Sequence, residues 1–186
     1  MQSPSNSERV AGMGKQRIFI DTMIIIELFR SGCWSAACNK YSMETVEKCV
    51  EEALAGDSAD PRYVPVDRAE LLGGLSELHV VSRATLAAFA LQCSRTAEGL
   101  DDGEKHLLAL LYAHGAQINA QLLISTADKA AIVAVGKLNW LDNLISLEEM
   151  VNASGVTRSQ LECLRSHFSK EWLDSIKMKV LLGIIP

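Results

Sequence analysis

The sequence predicts an α/β protein with a central parallel sheet, and two strand-like segments carry that prediction. Residues 17–21 read Arg-Ile-Phe-Ile-Asp and residues 122–128 read Leu-Leu-Ile-Ser-Thr-Ala-Asp. Continuous apolar runs of this kind are typical of strands that are buried on both faces, as the strands of parallel sheets are. A helical pattern follows each run and the sequence shows no tight hairpin signal, so strands alternate with helices.

The spacing of apolar residues places the remaining elements along the chain. The predicted elements are a strand at 17–21, helices at 22–30 and 45–54, a small helix at 68–75, a short strand at 78–81, helices at 82–92 and 105–115, a strand at 121–126, a helix from Asp128, a final strand within 140–145, and helices that begin near Ser146, Thr157 and Ser169. Capping boxes mark three of the helix starts, at Asp101 with Glu104, Ser146 with Glu149, and Thr157 with Gln160.

Length and composition indicate a single ordinary globular domain. The chain has 186 residues and a net charge of -5, which argues against a surface that coats nucleic acid with basic residues. Five cysteines without metal-type spacing predict buried free thiols in a reducing cytosol. No signal peptide is recognisable, and residues 1–15 are polar enough to predict a disordered tail. The longest apolar stretch, 18–29, contains two acids and is too short to span a bilayer, so we expect a cytoplasmic protein without membrane contact.

Two acids end the two apolar strands, and they are the first candidate site residues. Asp21 follows the first strand and Asp128 the second. Open α/β sheets build their sites at the carboxyl ends of strands, and carboxylates without matching bases favour a hard divalent cation. Both aspartates also suit a helix N-cap, and the two roles are compatible.

At these residues the chain resembles the PIN-domain family of metal-dependent ribonucleases. Four stretches carry the resemblance: Asp21-Thr22 after the first strand, the helix at 45–54, Leu-Asp-Asp-Gly-Glu-Lys-His at 100–106, and Ile-Ser-Thr-Ala-Asp at 124–128. The segment Leu-Ile-Ser-Leu-Glu at 144–148 also fits. The resemblance covers residues 16–151 and implies a three-layer sandwich with a central parallel sheet flanked by helices. The middle region 57–99 is enlarged, and residues 152–186 are expected to form a C-terminal helical extension that packs on the domain.

The resemblance implies hydrolysis of RNA phosphodiester bonds with Mg²⁺ or Mn²⁺. The metal would be held by Asp21, Asp128 and one of Glu47 or Glu51, and Glu104 would assist catalysis. Partners implied in the same way are an RNA substrate, an antitoxin protein that holds the nuclease as the toxin of a toxin-antitoxin pair, and a second copy in a homodimer. The alternative is a PIN-like protein that has lost catalysis and serves as a binding or assembly module.

The second acid is left open between Glu47 and Glu51, which share one helix face. The family spacing favours Glu51, whereas Glu47 lies one turn nearer the strand end. Glu44 and Glu52 are expected to point elsewhere and to be solvated, as exposed glutamates usually are.

Four further residues are candidates for substrate contact or for support of the acids. Thr22 and Thr126 are expected to hydrogen-bond the acids or a phosphate, although turn chemistry alone explains them nearly as well. Lys129, beside Asp128, is the most plausible phosphate contact among the basic residues. His106 stands where relatives carry an acid, so it is either a ligand better suited to Mn²⁺ or Zn²⁺, or a plain surface or packing residue. This departure is the feature that favours the alternative function.

Overall fold

The sheet of this computed structural model contains four strands within the residues that the structure describes, 14–115 and 122–185. These strands are β1 (Gln16–Ile20), β2 (Tyr41–Val46), β3 (Glu77–His79) and β4 (Leu122–Ser125). They lie in the order β3-β2-β1-β4, and every neighbouring pair is parallel. The predicted α/β class with a parallel sheet is therefore confirmed.

Strand β1 is the centre of the sheet because it pairs with both β2 and β4. Its residues Ile18, Phe19 and Ile20 are buried, as the unbroken apolar run predicts. Ile20 is the register partner of Ser125 in β4, so these two strands end side by side at the carboxyl end of the sheet. The residues that follow them are thereby brought to the same end of the sheet.

Eleven α-helices surround the sheet in the described part of the chain. They are α1 (Thr22–Arg30), α2 (Trp34–Lys40), α3 (Glu47–Leu54), α4 (Arg68–Gly74), α5 (Arg83–Gln92), α6 (Ser94–Ala97), α7 (Asp102–Ala113), α8 (Lys129–Lys137), α9 (Leu147–Ala153), α10 (Arg158–Glu162) and α11 (Lys170–Leu181). Helix α3 packs against α1 and α7, and α11 packs against α8 and α9. The arrangement is consistent with a three-layer sandwich.

Most of the predicted helices are confirmed, together with their start signals. Asp21, Asp128 and Ser169 cap helices α1, α8 and α11 with their side chains. All three predicted capping boxes are present at α7, α9 and α10. These signals are read correctly because a cap depends only on residues three or four positions apart.

Two predictions about strands are wrong. The segment 41–46 is strand β2, so the helix expected from residue 45 begins only at Glu47. The final strand expected within 140–145 is reduced to a single bridge between Leu144 and Ile124, after a 3₁₀ turn at Leu141–Asn143. Strand β2 is hard to recognise in the sequence because Glu44, a charged residue in the middle of this buried strand, interrupts the apolar pattern.

Three smaller expectations concern the termini, the cysteines and the membrane. The tail predicted for 1–15 falls outside the described residues except for residues 14 and 15. All five cysteines are free thiols, as their spacing predicts, but the expected burial is complete only for Cys33 and Cys49, and Cys163 is exposed. Across 14–115 and 122–185, no helix combines the length and the apolar character that crossing a bilayer requires.

Candidate functional site

Asp21 is a buried carboxylate directly after β1, and one of its two oxygens has no hydrogen-bond partner among the described residues. Its Oδ1 accepts a hydrogen bond from the N–H of Ile24 at 2.9 Å, which caps α1. Its Oδ2 is buried without any partner among the described residues. Burial raises the pKa of Asp21 to about 6, against the opposing effect of the nearby Thr126 hydroxyl. An orphaned buried oxygen of this kind is rare in folded proteins and indicates a missing partner such as water or an ion.

Glu104 lies beside Asp21, and the pKa of its carboxyl is raised further above the ordinary value than that of Asp21. It closes the capping box of α7, since Asp101 N–H donates to Glu104 Oε2 at 3.2 Å and Glu104 N–H donates to Asp101 Oδ1 at 2.8 Å. Burial raises the pKa of Glu104 to about 9, and the negative charges of Asp128, Asp101 and Asp21 add to the rise. The capping role is real, but it leaves the carboxylate in a place where its negative charge is unfavourable.

Asp128 follows β4 and caps α8 through one oxygen. Oδ1 accepts from the N–H groups of Ala130 at 2.6 Å and Ala131 at 3.1 Å. The hydroxyl of Thr126 accepts from the Asp128 N–H at 3.1 Å, which is turn chemistry. Asp21, Glu104 and Asp128, here called the carboxylate cluster, thus meet at the carboxyl end of the sheet, where the negative charge of Asp128 raises the pKa of the other two.

A small cavity opens at the carboxylate cluster. Its lining contains Asp21, Glu104 and Thr126 and is otherwise apolar, with Leu107, Leu108, Ile124, Ala131 and Val135. The cavity measures about 10 Å³, which is roughly the room that one water molecule needs. The surface that lines it is apolar, so the cavity lies beside Asp21 without exposing the orphaned oxygen.

The structure does not bring the two candidates for the second acid, Glu47 and Glu51, to the carboxylate cluster. Both are exposed, and Glu51 forms an ion pair with Lys48 at 3.3 Å. Glu52 takes the place near the cluster instead, and the expectation that it is solvated is wrong. Its Oε2 accepts from the Thr22 hydroxyl at 2.8 Å and its Oε1 accepts from the Gly103 N–H at 3.0 Å.

Glu52 could have been recognised only from its helix face. It lies three residues after Cys49, which is fully buried, so both point towards the same side of α3. That side contacts α7 at Gly103, where an added Cβ would stand 2.4 Å from Glu52 Oε2 and 3.0 Å from the Thr22 hydroxyl. A side chain at position 103 would force Glu52 to move, and the close approach joins α1, α3 and α7 behind the two buried acids.

The remaining predicted site residues divide into those at the cluster and those beside it. Thr22 follows Asp21 and donates its hydroxyl to Glu52, and Thr126 lines the small cavity with Asp21. His106 is partly exposed, and its Nδ1 lies 2.6 Å from the carbonyl oxygen of Asp102 in its own helix, so that nitrogen is already engaged. Lys129 is exposed and lines, with Asp128 and Lys137, an open groove of about 450 Å³ on the outer side of α8.

A second group of ligand-type residues lies on β2 and β3, and the sequence pattern does not predict it. Glu44, Glu77 and His79, here called the edge cluster, each offer one ligand atom, and these atoms lie within 4.8 Å of one another, so the group could hold a metal ion. Within the described ranges no other set of three such residues meets that distance. The carboxylate oxygens of Asp21, Glu104 and Asp128 are therefore not all within 4.8 Å of one another. The expectation that Glu44 is solvated is wrong, because its side chain is only 3% exposed.

Comparisons with models of known protein families, with curated proteins and with solved structures give no match. Neither the family resemblance nor the roles assigned to Asp21, Glu51, Glu104 and Asp128 are tested by these comparisons, and both stay predictions.

Proposed function

We propose that this chain is a PIN-like ribonuclease that hydrolyses RNA phosphodiester bonds with Mg²⁺ or Mn²⁺ held at the carboxylate cluster. The observation that carries the proposal is the Asp21 carboxylate, which is 2% exposed and whose Oδ2 has no hydrogen-bond partner among the described residues, beside a cavity that Glu104 also lines. A buried carboxylate oxygen without a partner is costly unless a cation or a proton accompanies it.

The donor set fits a hard divalent cation. Asp21, Glu104 and Asp128 offer only carboxylate oxygens, which are the ligands that Mg²⁺ and Mn²⁺ prefer. In the described part of the chain, none of the three forms an ion pair with a lysine or arginine. The bound ion would neutralise phosphate charge and lower the pKa of a water molecule.

The protein's own groups would orient the substrate and the acids. Glu52 on α3 links the first turn of α1 to α7, because it accepts from the Thr22 hydroxyl at 2.8 Å and from the Gly103 N–H at 3.0 Å. These bonds would hold Asp21 in position relative to Glu104. Lys129 is exposed next to Asp128 and is placed to contact a phosphate of the RNA backbone. Asp128 caps α8 with Oδ1, and its Oδ2 accepts no hydrogen bond from the residues that the structure describes, so this oxygen would be open to the ion.

Mn²⁺ binding and RNA cleavage together test this proposal. Isothermal titration of the metal-free protein with Mn²⁺, and cleavage of a single-stranded RNA with a fluorophore and a quencher, are measured for the wild type and for Asp21→Asn. The wild type is expected to bind Mn²⁺ and cleave, and Asp21→Asn is expected to lose both. Glu171→Gln, an exposed acid on α11, is the matched control and should change neither. A wild type that binds no Mn²⁺ and leaves RNA intact would overturn the proposal.

A second candidate function is a binding or assembly module that keeps the fold without catalysis. The observation that favours it is His106, whose engaged Nδ1 stands where the resemblance implies a further acid. His106→Asp separates the two functions, because a nuclease weakened by this departure should gain cleavage activity from the change. Absence of cleavage in both proteins, with retained RNA binding, would favour the binding module.

The partners implied by the resemblance belong to the same proposal. They are RNA, an antitoxin and a second copy of the chain, in a cytoplasmic setting. The proposal of a protein partner is supported by the end of the C-terminal helix, where Met178, Leu181, Leu182 and Ile184 are exposed.

A further inference from the structure

We infer that the edge cluster of Glu44, Glu77 and His79 is a site for Zn²⁺ that fastens the edge strand β3 to β2, separate from the carboxylate cluster and independent of the proposed activity. Glu44 and Glu77 are register partners in neighbouring parallel strands. His79 follows Glu77 by two residues, so all three side chains leave the same face of the sheet.

The imidazole of His79 is held in place before any ion arrives. Its ring stacks on Phe19 with the ring centroids 5.4 Å apart. Its Nε2 lies 2.8 Å from Glu44 Oε2, and its Nδ1 lies 3.5 Å from Glu77 Oε1. A ligand with a fixed orientation loses little conformational entropy on binding, which favours metal affinity.

Arg17 supports the buried carboxylate from the other side. Its Nε and Nη2 donate to the two oxygens of Glu44 at 2.5 and 2.9 Å. Ligating carboxylates commonly carry such hydrogen bonds from neighbouring residues. Arg17 is paired with Glu44, and the carboxylate of Glu77 adds a further negative charge that favours a cation at this cluster.

The ligand chemistry selects the ion. One imidazole nitrogen with two carboxylates suits Zn²⁺, whereas Mg²⁺ avoids nitrogen ligands. Glu77 is 60% exposed, so an ion has a path from solvent and water can complete the coordination. Zinc bound here would link two strands that otherwise pair over only three residues, Glu44 to Val46 with Glu77 to His79.

Zinc titration of the full-length, metal-stripped chain tests the inference. Isothermal titration with ZnCl₂ is carried out on the wild type and on Glu77→Gln, His79→Gln and Asp21→Asn, with Glu171→Gln as control. We expect the wild type to bind zinc at a site that is weakened by at least about tenfold in Glu77→Gln and His79→Gln, because each change removes or weakens a ligand. Asp21→Asn and the control should keep the site.

Each other result overturns the inference. A wild type that binds no zinc shows that the edge cluster is an ion-pair network only. Zinc binding that survives in Glu77→Gln and disappears in Asp21→Asn places the ion at the carboxylate cluster. If His79→Gln fails to fold, Glu77→Gln decides alone, because Glu77 is largely exposed and its change leaves the pair of Glu44 with Arg17 intact. Zinc should also raise the melting temperature of the wild type and not that of Glu77→Gln.

Discussion

The backbone N–H of Gly103 donates a hydrogen bond to Glu52 Oε1 at 3.0 Å, and this bond joins helices that begin 55 residues apart, at Glu47 and Asp102. Glu52 also accepts from Thr22, the residue after Asp21. Gly103 precedes Glu104, so the contact connects the segments that carry two buried acids. A network that spans three helices in this way fixes their separation.

Gly103→Ala should disturb that network. The new Cβ would stand 2.4 Å from Glu52 Oε2 and 3.2 Å from Cys49 Sγ, so Glu52 must move away and lose a bond. We expect a stability loss of about 1–3 kcal/mol, measured by urea unfolding, and weaker Mn²⁺ binding. Gly73→Ala is the control, because no atom lies within 4 Å of a Cβ at that helical position. Equal stability of the two variants would contradict the tight approach at Gly103.

Glu27→Ala should be among the most damaging changes in the chain. Glu27 is fully buried in α1 and accepts hydrogen bonds from Arg30 and from the side chain and backbone of Arg165. Its removal leaves two guanidinium groups without their partner and loosens the C-terminal extension. We expect a loss of about 3–5 kcal/mol in urea unfolding, against less than about 0.5 kcal/mol for the exposed Glu171→Ala. A loss no larger than that of Glu171→Ala would show that the ion pairs of Glu27 with Arg30 and Arg165 contribute little to stability.

Glu27 should also make the protein sensitive to acid. Burial alone would raise the pKa of Glu27, but the hydrogen bonds from Arg30 and Arg165 outweigh it and lower the pKa to about 2 from 4.5. Because the folded pKa is the lower one, the stabilisation is complete above about pH 4.5 and is lost as pH falls towards 2. Thermal unfolding of the wild type should therefore show a fall in stability across this window that is smaller in Glu27→Gln.

The carboxylate cluster should give the opposite pH dependence in the metal-free protein. Burial raises the pKa of Asp21 to about 6 and of Glu104 to about 9. A raised folded pKa stabilises the fold below the ordinary value, near 4, and this stabilisation is lost as pH rises through 6 and then 9. The melting temperature should decline over this range, less so in Glu104→Gln, and Mn²⁺ should reverse the decline. A flat profile without metal would show that the acids do not share a common environment.

The exposed end of α11 predicts self-association. Leu181 is 69% exposed, and Met178, Leu182 and Ile184 lie near it in sequence. Sedimentation equilibrium should give a dimer for the wild type and a monomer for Leu181→Glu, because the charge cannot be buried in an apolar contact. Ser175→Glu places the same charge on an exposed residue of the same helix and should leave the dimer unchanged. Identical masses for all three proteins would show that the exposed end of α11 does not form a dimer contact.

The elements that the sequence predicts correctly are those whose signals are local. The apolar run of β1, the caps at Asp21 and Asp128 and the capping box of Asp101 with Glu104 each depend on residues within a few positions of one another. Strand β2 escapes prediction for the opposite reason. Glu44 pairs with Arg17, 27 residues before it, and its carboxylate lies within hydrogen-bond distance of His79, 35 residues after it, and neither partner is visible in a local pattern.

The sequence by itself determined the parallel α/β class and placed Asp21, Glu104 and Asp128 at helix starts, because strand burial and helix capping follow from short-range residue patterns. Only the tertiary structure decided that Glu52 rather than Glu47 or Glu51 reaches the neighbourhood of these acids, and that Glu44, Glu77 and His79 form a second cluster. The physical reason is distance along the chain. Burial and charge pairing depend on which elements pack together, and helices or strands tens of residues apart meet only in the folded protein.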